Sequence, residues 1–368
     1  MVNHRELSKK CLITFVVGMT ASSLIGCSTL IKGVLNSIEG GRIISKVIAK
    51  TYSSSITEDT KAILPSDFTE RVFREAEHSK PVVVRIAVPG FATPLERYGS
   101  FEELSTPLGQ MHEAFEGKII ALDYPSKKSV EENAKEISIV LNNINNQFPE
   151  DSIVWDVMAF SAAGNIFTEI DRENYCDNIK RINFFASPLN GVKFIFPTDS
   201  ILNNYNTVLN LNKEESKNFH QLFEKKYNPL LKKFETPPVR EEGLDGNKKD
   251  EIIFQYFALS NDSRNPFVKG KSYILGDDDG VVALDSQLKF LNYGTFGGVK
   301  IYKGYGLDHV NALLNNFVMQ DFYKTLKEGF STQNKPNGLE DITVVEVPSS
   351  KKVSKDILPD MNSFLLQE

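Results

Sequence analysis

Ser161 stands where a serine side chain could act as a nucleophile. It follows an apolar, β-branched run at residues 153–158 and precedes a helical pattern, so we expect it on a turn from a buried strand into a helix. A serine hydroxyl is a weak nucleophile near neutral pH. Catalysis at this turn therefore needs a histidine to accept the hydroxyl proton and a carboxylate to orient that histidine.

The turn has the small residues that this geometry needs. Strand and helix approach closely around a serine on such a turn, so the residues two before and two after it must be small. Ala159 and Ala163 occupy these positions, where the usual motif has glycine at both. Small residues are common, so the motif gains its force only from the strand-turn-helix setting and from downstream partners.

Few histidines could serve as the base, because the chain contains five. His4 belongs to the N-terminal segment, His78 and His112 precede the serine turn, and His220 lies in a long insertion. His309 alone follows the last predicted strand, and we assign it as the general base. The alternative is an ordinary histidine at the start of a helix.

The acid has several candidates. Asp277, Asp278 and Asp279 are consecutive, and Asp262 also follows the end of a predicted strand. Asp308 is less suitable, because side chains of adjacent residues rarely reach the orientation that Asp-His pairing needs. The acidic cluster also fits a solvated turn or part of a calcium site. The residues alone leave this choice open.

The elements that would position these residues alternate along the chain. Apolar runs bounded by turn residues predict strands, and spacings of three and four predict helices between them. This alternation predicts an α/β fold with a mostly parallel sheet covered by helices on both faces, and active groups at the carboxyl ends of the strands. The predicted strands cover residues 81–88, 118–124, 153–158, 181–186, 252–259 and 299–302.

Helix signals fall between these strands. Ser129 with Glu132 three residues later forms a capping box, which predicts the start of a helix. Further helices are predicted to end near residue 115 and near residue 172. The last helix is predicted to begin at His309. Its predicted inward-facing residues are Val310, Leu313, Leu314 and Phe317.

The N-terminal residues have the pattern of a secretory signal. Arg5, Lys9 and Lys10 precede an apolar stretch at residues 11–25 that is short for a permanent membrane span. The sequence Leu-Ile-Gly-Cys, which ends at Cys27, resembles the bacterial lipobox, and this implies cleavage before Cys27 and a lipid on its sulfur. An uncleaved anchor with an incidental cysteine is the alternative. We therefore expect a lipid-anchored membrane protein of the bacterial cell envelope, facing outside the cytoplasm.

Composition excludes some classes of protein. The 368 residues are 41% hydrophobic and 24% charged, with a net charge of −6, which is typical of a globular protein with an ample core. No basic block is interleaved with aromatic residues, so nucleic-acid binding is not expected. With Cys27 lipidated and Cys11 removed, Cys176 has no partner for an intrachain disulfide. The core must therefore hold the fold.

The chain divides into four predicted regions. They are a signal peptide at residues 1–26, an anchored helical or linker region at 27–80, a main domain at 81–330 and a tail at 331–368. An insertion at about 189–250 interrupts the alternation of strands and helices. It is either a lid that shapes the site or a surface elaboration. The tail contains one strand-like run, at residues 342–347, and has no assigned function.

Three motifs together resemble the α/β-hydrolase superfamily, particularly its bacterial lipase and esterase branch. They are Ala-Phe-Ser-Ala-Ala-Gly around Ser161, Asp-Asp-Gly-Val-Val at Asp279 and Asp-His-Val-Asn at His309. The chain order serine, acid, histidine is also the order of that superfamily. The resemblance covers roughly residues 81–330. It implies an α/β-hydrolase fold, with Ser161 as nucleophile, Asp279 as acid and His309 as base.

The resemblance also implies an oxyanion hole and an activity. Pro89-Gly90-Phe91 stands where many members have His-Gly followed by a backbone donor, so the expected donors are the N–H groups of Phe91 and Ala162. The expected activity is cleavage of carboxylic esters, with acyl lipids as a candidate class, through an acyl-enzyme and without a cofactor or metal. An acyltransferase or thioesterase would use the same triad. A catalytically inactive lipoprotein that binds an envelope partner is the alternative from another class.

Overall fold

A computed structural model gives the structure of the chain. It describes residues 60–76, 78, 81–91, 93, 95–149, 151–191, 213–223, 252–261, 278, 279, 281–289, 291, 295–304, 307, 309, 312–330 and 342–348. The expected signal segment and Cys27 lie outside these residues, as does most of the insertion. Within the described part of the chain, none of the helices is both long enough and apolar enough to cross a membrane.

Eight strands in the described residues form one sheet. The strands are β1 (Lys61–Ile63), β2 (Val82–Val88), β3 (Ile119–Asp123), β4 (Ile153–Phe160), β5 (Ile179–Phe185), β6 (Ile253–Asn261), β7 (Thr295–Gly304) and β8 (Ile342–Glu346). The helices among these residues are α1 (Phe68–Ala76), α2 (Pro107–Ala114), α3 (Val130–Asn145), α4 (Ala163–Arg172), α5 (Lys213–Phe223), α6 (Leu284–Gln287) and α7 (Asn316–Glu328). Two short 3₁₀ turns, Leu95–Tyr98 and Ala312–Leu314, complete the set for the described residues.

The sheet is mostly parallel. Its strand order is β1-β3-β2-β4-β5-β6-β7-β8, and only the β1–β3 pair is antiparallel among the described pairs. The predicted α/β-hydrolase fold class is therefore confirmed, with the serine turn at the end of the central strand β4. The sheet also takes in residues on both sides of 81–330, because β1 precedes that range and β8 follows it.

The two faces of the sheet are covered by different helices. Trp155 and Val157 of β4 pack on the face that α1, α3 and α4 cover. Met158 and Phe160 of the same strand pack on the opposite face, against α2 and α7. This alternation follows from the two-residue period of a strand. Fully burying one such apolar side chain stabilises the fold by about 1.5–3 kcal/mol.

A buried carboxylate connects three strands, β2, β4 and β5, on the second face of the sheet. Asp156 of β4 accepts hydrogen bonds from Arg181 Nε (2.9 Å) and Asn183 Nδ2 (2.7 Å), and Arg85 Nε lies 3.3 Å from its Oδ2 atom. Both arginines also donate to the Leu326 carbonyl in the last turn of α7. Burial lowers the pKa of Arg85 against the opposing effect of Asp156. The cluster joins α7 to the sheet.

The capping box at the start of α3 is confirmed. Ser129 Oγ accepts the backbone N–H of Glu132, and the Glu132 carboxylate accepts the backbone N–H of Ser129. The predicted strands recur within two residues at each end, except that β7 begins four residues before the predicted start at 299. Cys176 is a free, buried cysteine, and this burial raises the pKa of its thiol to about 12.

The predicted last helix is wrong in its start and in its inward face. The Asn315 side chain accepts the N–H groups of Phe317 and Val318, so α7 begins after this cap and not at His309. Leu314 and Phe317 are 53% and 44% exposed, contrary to the prediction. Leu313 is partly buried against the core of the second face, as predicted, and Val310 lies outside the described residues. Because the helix begins after Asn315, other residues face the core. Its buried apolar residues are Val318, Met319, Phe322, Tyr323 and Leu326.

One helix of the insertion is described, and it contacts the loop after β3. Ser126 Oγ donates a 2.6 Å hydrogen bond to the Glu215 carboxylate, and Asn218 Nδ2 donates to the Ser126 carbonyl at 3.2 Å. Helix α5 therefore docks at the carboxyl edge of the sheet. The apolar residues 194–196 of the insertion, which would favour acyl chains if they lined the entrance to the site, lie outside the described residues.

Candidate active site

Ser161 occupies the sharp turn between β4 and α4. Its φ angle is +51°, in the left-handed region that residues other than glycine rarely adopt. The Ser161 N–H donates to the Phe185 carbonyl at 2.8 Å, and its own carbonyl accepts the Gly164 N–H at 3.0 Å. Such strained backbone persists only where its surroundings fix it. The turn therefore places the hydroxyl beyond the carboxyl end of the sheet.

Close packing around the turn requires a glycine at Gly164. A Cβ atom at Gly164 would lie 2.3 Å from Ser187 Oγ and 2.5 Å from Ser187 Cβ, so the position cannot carry a side chain unless Ser187, two residues after β5, moves. Ala159 and Ala163, the two small residues of the predicted motif, are completely buried. The usual motif has its second glycine two residues after the serine, at the position of Ala163. Here the glycine that the packing requires stands one residue later, at Gly164.

A chain of two hydrogen bonds joins three side chains at this edge. His309 Nε2 lies 2.8 Å from Ser161 Oγ, and His309 Nδ1 lies 2.6 Å from Asp279 Oδ2. The imidazole is 12% exposed and the carboxylate is completely buried. With the proton of the neutral ring on Nδ1, Nε2 is free to accept the serine proton. The structure therefore brings together the three residues proposed from the sequence.

The backbone orients the carboxylate of Asp279. Its Oδ1 atom accepts the N–H groups of Val281 (3.0 Å) and Val282 (2.7 Å), which leaves Oδ2 for His309. The sequence reasoning did not anticipate these two donors, because backbone N–H groups have no side-chain signature. The only sequence signal for these donors is the Asp-x-Val-Val spacing, which is compatible with such an Asx turn.

The other acid candidates differ in placement. Asp278 forms an isolated backbone bridge to Ala283, and its carbonyl accepts the Asn261 N–H at 2.8 Å. Asp262, Asp277 and Asp308 lie outside the described residues. Within the part of the chain that the structure describes, no group of three or more His, Cys, Asp or Glu side chains is arranged to hold a metal ion.

Two backbone segments border the serine hydroxyl. A Cβ atom at Gly90 would lie 3.0 Å from Ser161 Cβ and 3.5 Å from Ser161 Oγ, so the loop after β2 passes directly beside the nucleophile. The half-buried Phe91 follows, and its carbonyl accepts a hydrogen bond from Thr93 Oγ1. On the other side is Ala162, whose N–H donates to no backbone carbonyl among the described residues. It stands at the N-terminus of α4, where partial positive charge favours an anion.

Comparisons with known proteins find similar folds among solved structures. No protein-family model matches the chain, and no curated protein matches it. Solved structures with a similar fold include lipase BlEst2 of Bacillus licheniformis, 14% identical over 68% of this chain and 93% of that chain, with a TM-score of 0.42. Phospholipase PlaB of Legionella pneumophila is 12% identical over 67% of this chain and 60% of that chain, with a TM-score of 0.44. An esterase of Pyrobaculum calidifontis is 12% identical over 86% of this chain and 97% of that chain, with a TM-score of 0.38. These are likenesses of fold only.

Proposed function

We propose that the chain is a serine hydrolase that cleaves carboxylic esters through an acyl-enzyme on Ser161. The observation that carries this proposal is the continuous hydrogen-bond chain from the buried Asp279 carboxylate through His309 to the Ser161 hydroxyl. This arrangement supplies a nucleophile, a base of the correct tautomer and a fixed negative charge that stabilises the imidazolium.

In the first half of the reaction, Ser161 Oγ attacks the ester carbonyl carbon while its proton passes to His309 Nε2. The tetrahedral oxyanion collapses, the bond to the alkoxide oxygen breaks, and His309 gives the proton to that oxygen, so the alcohol leaves. In the second half, water attacks the acyl-enzyme and its proton passes to His309. The bond to Oγ then breaks, Oγ regains the proton, and the carboxylic acid leaves.

The oxyanion is assigned to the backbone donors that border the hydroxyl. The N–H of Ala162 lies at the N-terminus of α4, and a Cβ atom at Gly90, the residue before Phe91, would lie 3.0 Å from Ser161 Cβ. Two N–H groups from these segments would bind the developing negative oxygen, and loss of one such donor costs about 3 kcal/mol of transition-state stabilisation.

A fluorophosphonate probe tests the proposal directly. The full chain, purified in a mild non-ionic detergent, should label covalently, and Ser161→Ala should abolish labelling while the circular dichroism spectrum stays unchanged. A folded parent protein that never labels would end the enzyme proposal in favour of a catalytically inactive binding protein.

The acyl acceptor and the substrate class need a second measurement. We propose water as the acceptor and acyl lipids as a substrate class, to be examined with p-nitrophenyl esters of increasing acyl length. Turnover that yields the free acid supports hydrolysis. Dominant transfer to an added alcohol would indicate an acyltransferase instead, and a strong preference for matched thioesters would indicate a thioesterase.

We further propose that the protein is anchored to the bacterial cell envelope through a lipid on Cys27. The support is the sequence pattern of residues 1–27 alone. An alkynyl fatty acid fed to a bacterial host should label the parent protein and not Cys27→Ser, and the variant should leave the membrane fraction. Membrane partitioning that the substitution leaves unchanged would contradict the anchor.

A further inference from the structure

Gln287, at the end of α6, replaces a missing strand partner at the end of β6. The last residue pair between β5 and β6 is Phe185 with Phe257, so β6 continues beyond its neighbour. There the Gln287 Oε1 atom accepts the Leu259 N–H at 2.8 Å, and its Nε2 atom donates to the Leu259 carbonyl at 3.1 Å. The side-chain amide thus pairs with Leu259 as the backbone of an adjacent strand would.

The same amide also contacts the loop that holds the acid. Gln287 Nε2 donates a second hydrogen bond, of 2.9 Å, to the Val282 carbonyl. Val282 in turn donates its N–H to Asp279 Oδ1 at 2.7 Å and accepts the Asp279 N–H at 3.3 Å. Gln287 is therefore separated from the candidate catalytic acid by one residue, to which both are hydrogen-bonded.

Helix α6 is fixed at a second point. Ser286 Oγ accepts the N–H of Asn190, in the loop that follows β5, at 3.0 Å. Both Ser286 and Gln287 are only 2% exposed. A buried amide costs free energy unless it is hydrogen-bonded, and Gln287 uses its oxygen and both its N–H groups. A short helix with buried, fully bonded polar side chains is well suited to hold the acid loop against the end of the sheet.

We propose that Gln287 is a positioning residue for the reaction proposed above: its amide clamps Val282 to the end of β6 and so fixes the direction of the Asp279 carboxylate. This inference rests on the proposed function for its catalytic part, whereas the clamp is a mechanical statement about the loop. Gln287 touches none of the reacting atoms. It acts only through Val282 and Asp279.

The chain offers a matched control for its replacement. Gln287→Met keeps the length of the side chain and removes its three hydrogen bonds. Gln255 lies on the same strand, β6, and is 4% exposed, so Gln255→Met makes the same chemical change at similar burial. Leu259 is four positions after Gln255, which is about 13 Å along a strand. Gln287→Glu is a second, isosteric variant if the methionine variant does not fold.

Two readouts separate the clamp from the catalysis. Hydrogen exchange of the backbone amides at residues 281–283 should become several-fold faster in Gln287→Met and stay unchanged in Gln255→Met. The second-order rate of fluorophosphonate labelling should fall by roughly 10- to 100-fold in Gln287→Met, the loss expected when a catalytic group moves by up to an ångström. In an Asp279→Asn background the same substitution should cost less than about 2-fold, because Gln287 acts through Asp279.

Unchanged exchange at residues 281–283 would overturn the clamp. Faster exchange with unchanged labelling would overturn the positioning role, and so would an equal loss of labelling with and without the Asp279 carboxylate, which is the signature of a general structural defect. If the parent protein does not label at all, the proposed function fails, and hydrogen exchange still decides whether the clamp exists.

Discussion

His309 is hydrogen-bonded to Asp279 twice, through its backbone and through its ring. The His309 N–H donates to the Asp279 carbonyl at 2.8 Å, and His309 Nδ1 lies 2.6 Å from Asp279 Oδ2. The backbone bond fixes the distance between the two loops, and the side-chain bond then fixes the orientation of the ring. The geometry therefore favours Asp279 as the acid over its neighbours in the sequence.

We expect Asp279→Asn to lower kcat/KM for a short soluble ester by roughly 10³- to 10⁴-fold, because the amide favours the wrong histidine tautomer. Asp278→Asn and Asp262→Asn, at the other acid candidates, should stay within a few-fold of the parent. Hydrolysis rates of the three variants at one pH test this. Equal activity in Asp279→Asn and the parent would refute the assignment.

We expect Gly90→Ala to lower kcat/KM by roughly 10- to 100-fold, since the added Cβ atom would lie 3.0 Å from Ser161 Cβ and displace either the serine or the loop. The control is Gly329→Ala, after α7, where a Cβ atom meets nothing within 4 Å. The positive φ of Gly329 makes that variant less stable by about 1 kcal/mol. Its activity at 25 °C should nevertheless match the parent, and a similar loss in both variants would argue against a local effect at the serine.

We expect Asp156→Asn to lower the free energy of unfolding by about 3 kcal/mol, because two largely buried arginines would lose their shared counter-charge. Denaturant titration measures this loss. The control is Asp67→Asn, at a partly exposed pair with Arg71, which should cost less than about 1 kcal/mol. Comparable losses at both sites would show that the buried cluster contributes no more to the free energy of unfolding than a partly exposed ion pair.

The capping box of α3 gives a prediction on pH. The backbone N–H of Ser129 lowers the pKa of Glu132 below its ordinary value of 4.5. A carboxyl whose folded pKa is lowered contributes stability above its unfolded pKa and loses it as the pH falls through the folded value. Ser129→Ala removes the hydroxyl oxygen that accepts the Glu132 N–H, and it should cost about 1 kcal/mol near neutral pH. The difference in unfolding free energy between Glu132→Gln and the parent should shrink as the pH falls below 4.5. A difference that does not change with pH would contradict this reading.

Much of the sheet could be predicted from the sequence, because its interior strands are apolar runs between clear turn signals. Residues 153–158 and 252–259 read plainly as β4 and β6. The run at residues 342–347 also predicted a strand, which β8 confirms, although Ile342 and Val344 are exposed. The other edge strand, β1, is only three residues long and carried too little signal, so its place in the sheet and not its local pattern makes it a strand.

The candidate active site was likewise predictable in one part and not in another. Ser161 and His309 were predictable because their chemistry requires particular side chains at particular places in the chain order. The contacts around Asp279 were not predictable: two backbone N–H groups bind its Oδ1 atom, and the amide of Gln287, 126 positions after Ser161 in the numbering, binds the Val282 carbonyl. Likewise, the true start of α7 depends on a cap at Asn315, and helical spacing alone did not reveal it.

The two outer strands have a practical consequence for any shortened version of the protein. In the described sheet, β1 pairs with β3 and β8 pairs with β7. A fragment of residues 81–330 would lack both β1 and β8. The edges of β3 and β7 would then carry unpaired N–H and C=O groups that other chains could bind. Such a fragment would be expected to self-associate, so boundaries for expression should begin before Thr60 and extend past Pro348.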